Sequence, residues 1–145
     1  MSIINHVYKI AESSLAGQCY VATGDKEIFE EVTKNGGKCI LTQSDHETGT
    51  DRIFEAFQKL ENDNIEYVVN LQGDEPLLDI EDINNLLTKT IEKKSKVSTL
   101  ACEIESEEIL SKKNIVKVTT NEKLIEGKLS TATSFVREAS KTKQN

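Results

Sequence analysis

The stretch from Tyr67 to Leu78, which reads YVVNLQGDEPLL, constrains the fold of this chain more than any other. It begins with apolar and β-branched residues, which favour a buried strand. It then turns polar, where Gly73 permits a sharp turn and Pro76, the only proline of the sequence, fixes the exit of the chain. Open α/β sheets place ligands at the carboxyl ends of parallel strands. The pattern therefore predicts a ligand site directly after this strand.

Asp74 is the best candidate for a functional residue in that stretch. A carboxylate at this place suits Mg²⁺, which prefers oxygen ligands and usually binds together with phosphates. The alternative interpretation is structural, with Asp74 or Glu75 only capping backbone N–H groups in a strand-to-helix turn. The stretch by itself leaves both interpretations open.

The rest of the chain alternates between helical and strand patterns, joined by short connections. Helices are predicted over residues 2–15, 25–34, 50–60 and 80–93, with a short helix or turn over 105–110, and strands over 18–23, 38–42, 97–104 and 115–119. This alternation predicts an α/β fold, an open and mostly parallel sheet with helices on both faces. Asp25 and Thr50 are the predicted N-caps of their helices. A last helix is predicted over residues 129–140.

Length and charge narrow the class of protein further. At 145 residues, the chain is predicted to form one domain over 1–145 with a real core. The 25 acidic and 18 basic residues argue against a nucleic-acid surface, although a nucleotide held by metal and backbone amides stays open. No long apolar run or signal-peptide pattern occurs, which predicts a cytoplasmic protein without a membrane partner. Cys19, Cys39 and Cys102 lie in predicted strands and are interpreted as small buried thiols rather than a disulfide or zinc site.

Three runs carry a family resemblance: VATGDKEIFEEV (Val21 to Val32), GGKCILTQSDHETGTDRI (Gly36 to Ile53) and VVNLQGDEPLL (Val68 to Leu78). They resemble the 3-deoxy-manno-octulosonate cytidylyltransferases, also called CMP-KDO synthetases. The combination of DHxTGTDR with NLQGDEP in this order is specific. The opening helix and the run NIVKV extend the resemblance from the start to about Val118. The fold that it implies is that of the nucleotide-diphospho-sugar transferases.

The resemblance implies a nucleotidyl transfer. CMP would pass from CTP to 3-deoxy-D-manno-octulosonate, giving CMP-KDO and pyrophosphate for lipopolysaccharide biosynthesis, with Mg²⁺ as the cofactor. Asp74 matches the family's metal-binding aspartate and is the implied catalytic residue, and Gln72 would contact the sugar acid. The loop residues expected to line the cytosine and ribose side of the pocket are Asp45, His46, Thr48, Gly49 and Arg52.

Two of these loop residues also have simpler interpretations. Arg52 could be a surface partner for nearby acids, which would contribute little to stability. His46 is interpreted as a loop residue that shapes the pocket rather than as a general base, because the sequence shows no partner that would orient it.

The chain also departs from the family pattern. Only Met1 and Ser2 precede the opening helix, where the family has a first strand and a basic phosphate loop. Gly24 stands where an acidic residue is expected, and nothing after Val118 resembles the family's next segment. We therefore expect an incomplete nucleotidyltransferase domain, truncated at both ends. A catalytically inactive fragment and half of a split enzyme acting as a binding module stay open as alternatives, with a homodimer or a complementary fragment as the expected assembly.

Overall fold

The computed structural model describes residues 1–62 and 64–138. Its elements are α1 (Ile3–Glu12), β1 (Val21–Thr23), α2 (Lys26–Lys34), β2 (Cys39–Leu41), α3 (Gly49–Lys59), α4 (Ile80–Lys93), α5 (Glu107–Ser111), β3 (Lys117–Thr120) and β4 (Ala132–Val136). The internal contacts divide the chain into two compact units, Met1–Leu87 and Thr88–Asn145. The single domain expected over residues 1–145 stays a prediction.

The first unit is built on a parallel pair of strands. β1 and β2 pair with Val21 opposite Cys39 and Thr23 opposite Leu41, and both α2 and α3 pack against them. The core consists of Tyr8, Val21 and the fully buried Val32. Ile4, Cys19, Ile28 and Cys39 are partly buried around it. This packing of helices on parallel strands confirms the predicted α/β class.

The helix caps show where local sequence signals were sufficient. Asp25 caps α2 as predicted, since its Oδ1 accepts hydrogen bonds from the backbone N of Glu27 at 2.7 Å and of Ile28 at 3.4 Å. The predicted cap of α3 was wrong, because Thr48 rather than Thr50 accepts from the backbone N of Asp51, at 3.1 Å. A threonine followed three residues later by an acid is a capping-box signal, so Thr48 was the better choice.

Two predicted strands do not form. Residues 67–69, the strand on which the ligand-site hypothesis was built, and residues 97–104 have no strand partner in the described parts of the chain. Val68 is 52% exposed and Val97 is 90% exposed. β-branched composition favours an extended backbone, but a strand also needs a hydrogen-bonded neighbour and a surface that buries its side chains.

The second unit contains an antiparallel pair where a helix was predicted. β4 pairs with β3, with Val136 opposite Lys117 and Ser134 opposite Thr119. The expected helix over 129–140 was wrong, because residues 132–136 include β-branched side chains and find a pairing partner in β3. Its last two positions, 139 and 140, lie outside the described residues.

Lys117 is buried in this second unit, and its ammonium is bound by backbone oxygens. Its Nζ donates to the carbonyl oxygen of Lys112, just after α5, and at 2.6 Å to that of Arg137, just after β4. The ammonium therefore ties both elements to β3. Hydrogen bonds of this kind compensate part of the cost of burying the charge.

The cysteines only partly follow the prediction. All three are free, but Cys102 is exposed and lies outside any strand, so its interpretation as a buried thiol was wrong. Cys19 and Cys39 are half-buried. Burial raises the pKa of both thiols, that of Cys19 to about 11, so neither is a reactive thiolate near neutral pH.

The end of α4 offers a stability test. Lys94 has a positive φ of 52°, and the hydrogen bonds from Ser95 N to Thr90 O (2.9 Å) and from Lys94 N to Ile91 O (3.1 Å) form a Schellman cap. Lys94→Gly should raise the free energy of unfolding by about 1 kcal/mol, because glycine adopts this conformation without steric cost. Lys93→Gly, one residue earlier and inside α4, should lower it by about 1 kcal/mol. Urea denaturation measures the free energy of unfolding of both variants. An equal decrease in both would contradict the Schellman cap.

No helix in the described parts of the chain is long and apolar enough to cross a membrane.

Candidate active site

The two motif segments of the sequence lie next to each other in the first unit. A Cβ built on Gly49, at the start of α3, would lie 3.5 Å from Oε1 and 3.6 Å from Nε2 of Gln72. Gln72 in turn donates from Nε2 to Oδ1 of Asn70 at 3.2 Å. The Gln72 amide therefore lies directly beside the first residue of α3. The folded chain brings DHxTGTDR and NLQGDEP together, although neither strand pair of the described residues joins the two segments.

The turn that carries Asp74 is positioned by α1. A Cβ on Gly73 would lie 3.0 Å from Cδ1 of Ile4, so the backbone of the turn passes close to the helix. His6, also on α1, has its Nε2 3.1 Å from the carbonyl oxygen of Pro76. Sequence reasoning assigned no role to His6, and its contact seventy positions along the chain could not be read from local pattern.

Asp74 itself is exposed and its carboxylate is unengaged. Its side chain makes no hydrogen bond or ion pair with another described residue. The structural interpretation of Asp74 as a cap was therefore wrong. The residue that caps is Asp79, whose Oδ1 accepts from the backbone N of Glu81 at 2.9 Å near the start of α4.

The described residues include no cluster of three or more His, Cys, Asp or Glu side chains that could hold a metal ion. Mg²⁺ is commonly held by one or two carboxylates, with substrate phosphates and waters completing the coordination. The Asp74 carboxylate, which has no partner among the described residues, is suited to be one of these ligands. Magnesium as the cofactor stays a prediction.

The loop before α3 contains the other predicted site residues. Thr48 caps the helix, and its Oγ1 also donates to Oδ2 of Asp51 at 2.5 Å. Gly49 is the first residue of α3, next to Gln72. Asp45 is exposed, and its carboxylate has no partner among residues 1–62 and 64–138. Asp45 and Gly49 are therefore open to a ligand, whereas the Thr48 hydroxyl already serves the helix.

His46 has an orienting partner, contrary to the interpretation from sequence. Its Nε2 is hydrogen-bonded to Oε2 of Glu55 on α3, and the two side chains are only 16% and 19% exposed. Glu55 Oε1 lies 2.7 Å from Nζ of Lys59, and the backbone N of Gln43 donates to Glu55 Oε2 at 3.1 Å. Lys59 Nζ also donates to the carbonyl oxygen of Leu41 at 2.7 Å. Sequence reasoning missed Glu55 and Lys59, although their i, i+4 spacing was a visible sign of a pair.

The charges around Glu55 change its titration. Lys59 first, and His46 second, lower the pKa of the Glu55 carboxyl from its ordinary 4.5 to about 2. Both partners favour the ionised form, because each offers a hydrogen bond to the carboxylate. Glu55 is thus expected to remain charged far into the acid range.

The low pKa of Glu55 predicts that the protein becomes less stable at acid pH. A group whose pKa is lower in the folded state stabilises the fold above its unfolded pKa, and the contribution is lost as the pH falls. Unfolding should therefore become easier between about pH 4.5 and pH 2, and Glu55→Gln should flatten that part of the profile. Tm measured by circular dichroism from pH 5 to pH 2 tests this. Glu47→Gln, an exposed charge in the same loop, is the control, and an equal effect in both variants would contradict the assignment.

Arg52 is not a surface partner for acids. It forms no ion pair with any described residue, and its Nη2 donates only a long hydrogen bond of 3.4 Å to the carbonyl oxygen of Ser44. Its Nε is buried without a hydrogen-bond partner. Such an N–H costs about 1–3 kcal/mol of stability while it stays unsatisfied. The ion-pair interpretation was wrong, and Arg52 remains a binding candidate.

The fold and the polar loops beside its parallel strands are typical of the class of α/β proteins that bind ligands at the carboxyl ends of their strands. Comparison with known proteins narrows this class: the sequence model of the cytidylyltransferases matches residues 1–143. The chain belongs to the cytidylyltransferase family.

Individual relatives agree with this assignment. The chain is 41% identical over 119 residues to the 3-deoxy-manno-octulosonate cytidylyltransferase of Rhodopseudomonas palustris, covering 81% of this chain and 49% of that protein. It is 44% identical over 124 residues to the enzyme of the same name from Hahella chejuensis, covering 83% and 48%. The one from Thermodesulfovibrio yellowstonii is 45% identical over 122 residues, covering 80% and 48%. The chain thus spans about half the length of the curated relatives that it matches.

A solved structure gives the same answer for the fold. The structure of CMP:2-keto-3-deoxy-manno-octonic acid synthetase complexed with CTP superimposes with a TM-score of 0.78 at 32% identity. The match covers 94% of this chain and 53% of that one. The expected nucleotidyltransferase-like fold is confirmed.

Proposed function

We propose that this chain carries the nucleotide and sugar-acid contacts of a 3-deoxy-manno-octulosonate cytidylyltransferase. The reaction transfers CMP from CTP to 3-deoxy-D-manno-octulosonate, forming CMP-KDO and releasing pyrophosphate for lipopolysaccharide biosynthesis. The observation that carries the proposal is the contact between the two motif segments, where the Gln72 amide lies beside Gly49. The names of the relatives supply the substrates.

Each residue has a part that its surroundings support. Gln72 binds the sugar acid, because its exposed side chain lies beside Gly49 of the other motif. Arg52 binds an anionic oxygen of the nucleotide through its guanidinium, which has no ion-pair partner among the described residues. Asp45, His46 and Thr48 surround the cytosine and ribose side. Their loop is anchored to α3 through Glu55 and the Thr48 cap, so it requires little ordering when a ligand binds.

Asp74 would hold the Mg²⁺ ion, with CTP phosphates providing further oxygen ligands. When bound, the ion supplies Lewis-acid stabilisation of the charge that develops on the phosphates. The chain's own contribution is to present an exposed carboxylate that no other described side chain occupies. The turn bearing it is fixed by the contacts of Ile4 and His6.

The cytoplasm, where CTP is made and used, is the proposed compartment. We also propose that the chain assembles as a homodimer or with a complementary fragment. Analytical ultracentrifugation would distinguish these two assemblies from a monomer.

The function is tested by measuring pyrophosphate release from CTP with Mg²⁺, with and without 3-deoxy-D-manno-octulosonate. Release that requires the sugar acid, together with CMP-KDO detected by mass spectrometry, is the expected result. CTP binding measured by calorimetry in parallel separates two failures. Binding without release would favour the binding-module alternative, whereas absence of both in a folded sample would overturn the proposed function.

A further inference from the structure

The structure assigns Glu55 a role as the positioning residue of the loop over residues 43–48, in which it orients the His46 ring. The catalytic consequence of this role rests on the proposed function, since it is the nucleotide that would meet this loop. The orientation of the ring does not rest on it, and it can be measured in the free protein.

Glu55 gathers three donors from three different places in the chain. They are the backbone N of Gln43 after β2, the imidazole of His46 in the loop, and the ammonium of Lys59 one turn further along α3. A carboxylate has acceptor positions for about four hydrogen bonds, so these donors occupy most of its capacity. The loop is thus tied to α3 by its backbone at Gln43 and by its side chain at His46, and Lys59 ties α3 to the end of β2 through the Leu41 carbonyl oxygen at 2.7 Å.

This arrangement determines which nitrogen of His46 is left without a partner among the described residues. A carboxylate only accepts, so Nε2 of His46 must carry the proton that Glu55 binds. In the neutral ring, Nδ1 is then the acceptor, and no described residue uses it. Glu55 therefore selects one tautomer and presents Nδ1 as the atom available to a ligand donor, such as a hydroxyl or amino group.

The same arrangement accounts for the unpaired state of Arg52. Arg52 and Glu55 are three positions apart on α3, which is a favourable spacing for an ion pair. Glu55 is instead engaged by His46 and Lys59, and Arg52 forms no ion pair with the described residues. By accepting these two partners, Glu55 leaves the Arg52 guanidinium free for a ligand.

The test uses the full chain and three variants: Glu55→Gln, Glu55→Ala and Glu47→Gln as the matched charge control. The sequence contains two histidines, so long-range ¹H–¹⁵N spectra resolve His46 with His6 as an internal reference. We expect His46 as the Nε2–H tautomer in the wild type and in Glu47→Gln, and a mixture of tautomers in Glu55→Ala. Glu55→Gln should retain most of the wild-type signature, because its side-chain oxygen still accepts. His6 should be unchanged throughout.

CTP affinity and turnover provide the second measurement. Loss of the charge-assisted bonds should raise KM for CTP about tenfold in Glu55→Ala, with a smaller change in kcat and partial rescue in Glu55→Gln. An unchanged His46 spectrum in Glu55→Ala overturns the positioning role whatever the kinetics. A changed spectrum with unchanged KM shows that Glu55 orients His46 but overturns the consequence of this role for the nucleotide. If the wild type binds no CTP, the proposed function fails, while the spectra still decide whether Glu55 orients His46.

Discussion

Replacing Asp74 with asparagine should reduce Mg²⁺-dependent pyrophosphate release at least about 100-fold, which corresponds to about 2.7 kcal/mol of transition-state stabilisation. Thermal unfolding should not change, because the Asp74 side chain is exposed and has no hydrogen bond or ion pair within the described chain. The loss should therefore reflect ligand chemistry alone. CTP binding should be measured by calorimetry in Mg²⁺ and in EDTA. In Asp74→Asn, only the Mg²⁺-dependent part of CTP binding should be missing.

Glu66→Gln is the matched control for this variant. Glu66 is an exposed acid immediately before the same stretch, so the substitution removes the same charge at a distance from the turn. It should release pyrophosphate at the wild-type rate. Equal losses in the two variants would indicate a general effect of charge, and unaltered Mg²⁺-dependent affinity in Asp74→Asn would remove Asp74 from the metal site.

Replacing Gly24 with alanine should have the largest effect on stability of the substitutions considered. A Cβ at this position would lie 2.7 Å from the backbone oxygen of Gln43 and 2.7 Å from Cα of Ser44. Backbone cannot yield as a flexible side chain can, so we expect a loss of about 1–3 kcal/mol and a fall in Tm of about 5 °C or more. The loop would also shift, because Gln43 N binds Glu55 and Ser44 O binds Arg52. CTP binding should weaken as well.

Gly49→Ala is the informative comparison. A Cβ at Gly49 meets only the Gln72 amide, at ordinary contact distances of 3.5 and 3.6 Å, so the fold should tolerate it. Alanine is also the better helix former at the start of α3. Stability should be equal to that of the wild type or higher, while the sugar-acid site is narrowed. Urea denaturation separates the variants, and equal stability of Gly24→Ala and the wild type would contradict the close approach at Gly24.

The close approach at Gly24 also explains a departure from the expected family pattern. An acidic residue was expected at this position from the resemblance, yet any side chain would meet the backbone of residues 43–44. In this chain the glycine is thus required by packing between the loops after β1 and β2. From the sequence resemblance, Gly24 was recognised only as the loss of an expected carboxylate.

Part of the site could be read from the sequence and part could not. Asp74, Gln72 and the loop residues are predicted site residues because their motifs are specific and their residue types suit phosphate and metal chemistry, and the structure places Gln72 beside Gly49. The roles of Glu55 and Lys59 were missed, because Glu55 meets a histidine nine positions earlier and Lys59 meets the end of a strand eighteen positions earlier. Contacts of this kind depend on how the loop folds back onto α3, which no local pattern encodes.

Elements that depend on local interactions could be predicted from the amino-acid sequence. Helix α4 forms over Ile80–Lys93 as predicted, and Asp25 caps α2, because apolar periodicity and capping act within a few residues. Which extended segments formed strands depended on tertiary contacts. Residues 67–69 and 97–104 have strand-like composition but no strand partner among residues 1–62 and 64–138, whereas residues 132–136, predicted as helix, form β4 because β3 lies beside them. A helix satisfies its own backbone hydrogen bonds, but a strand depends on a partner that is distant in sequence, so only the folded chain determines which extended segments become sheet.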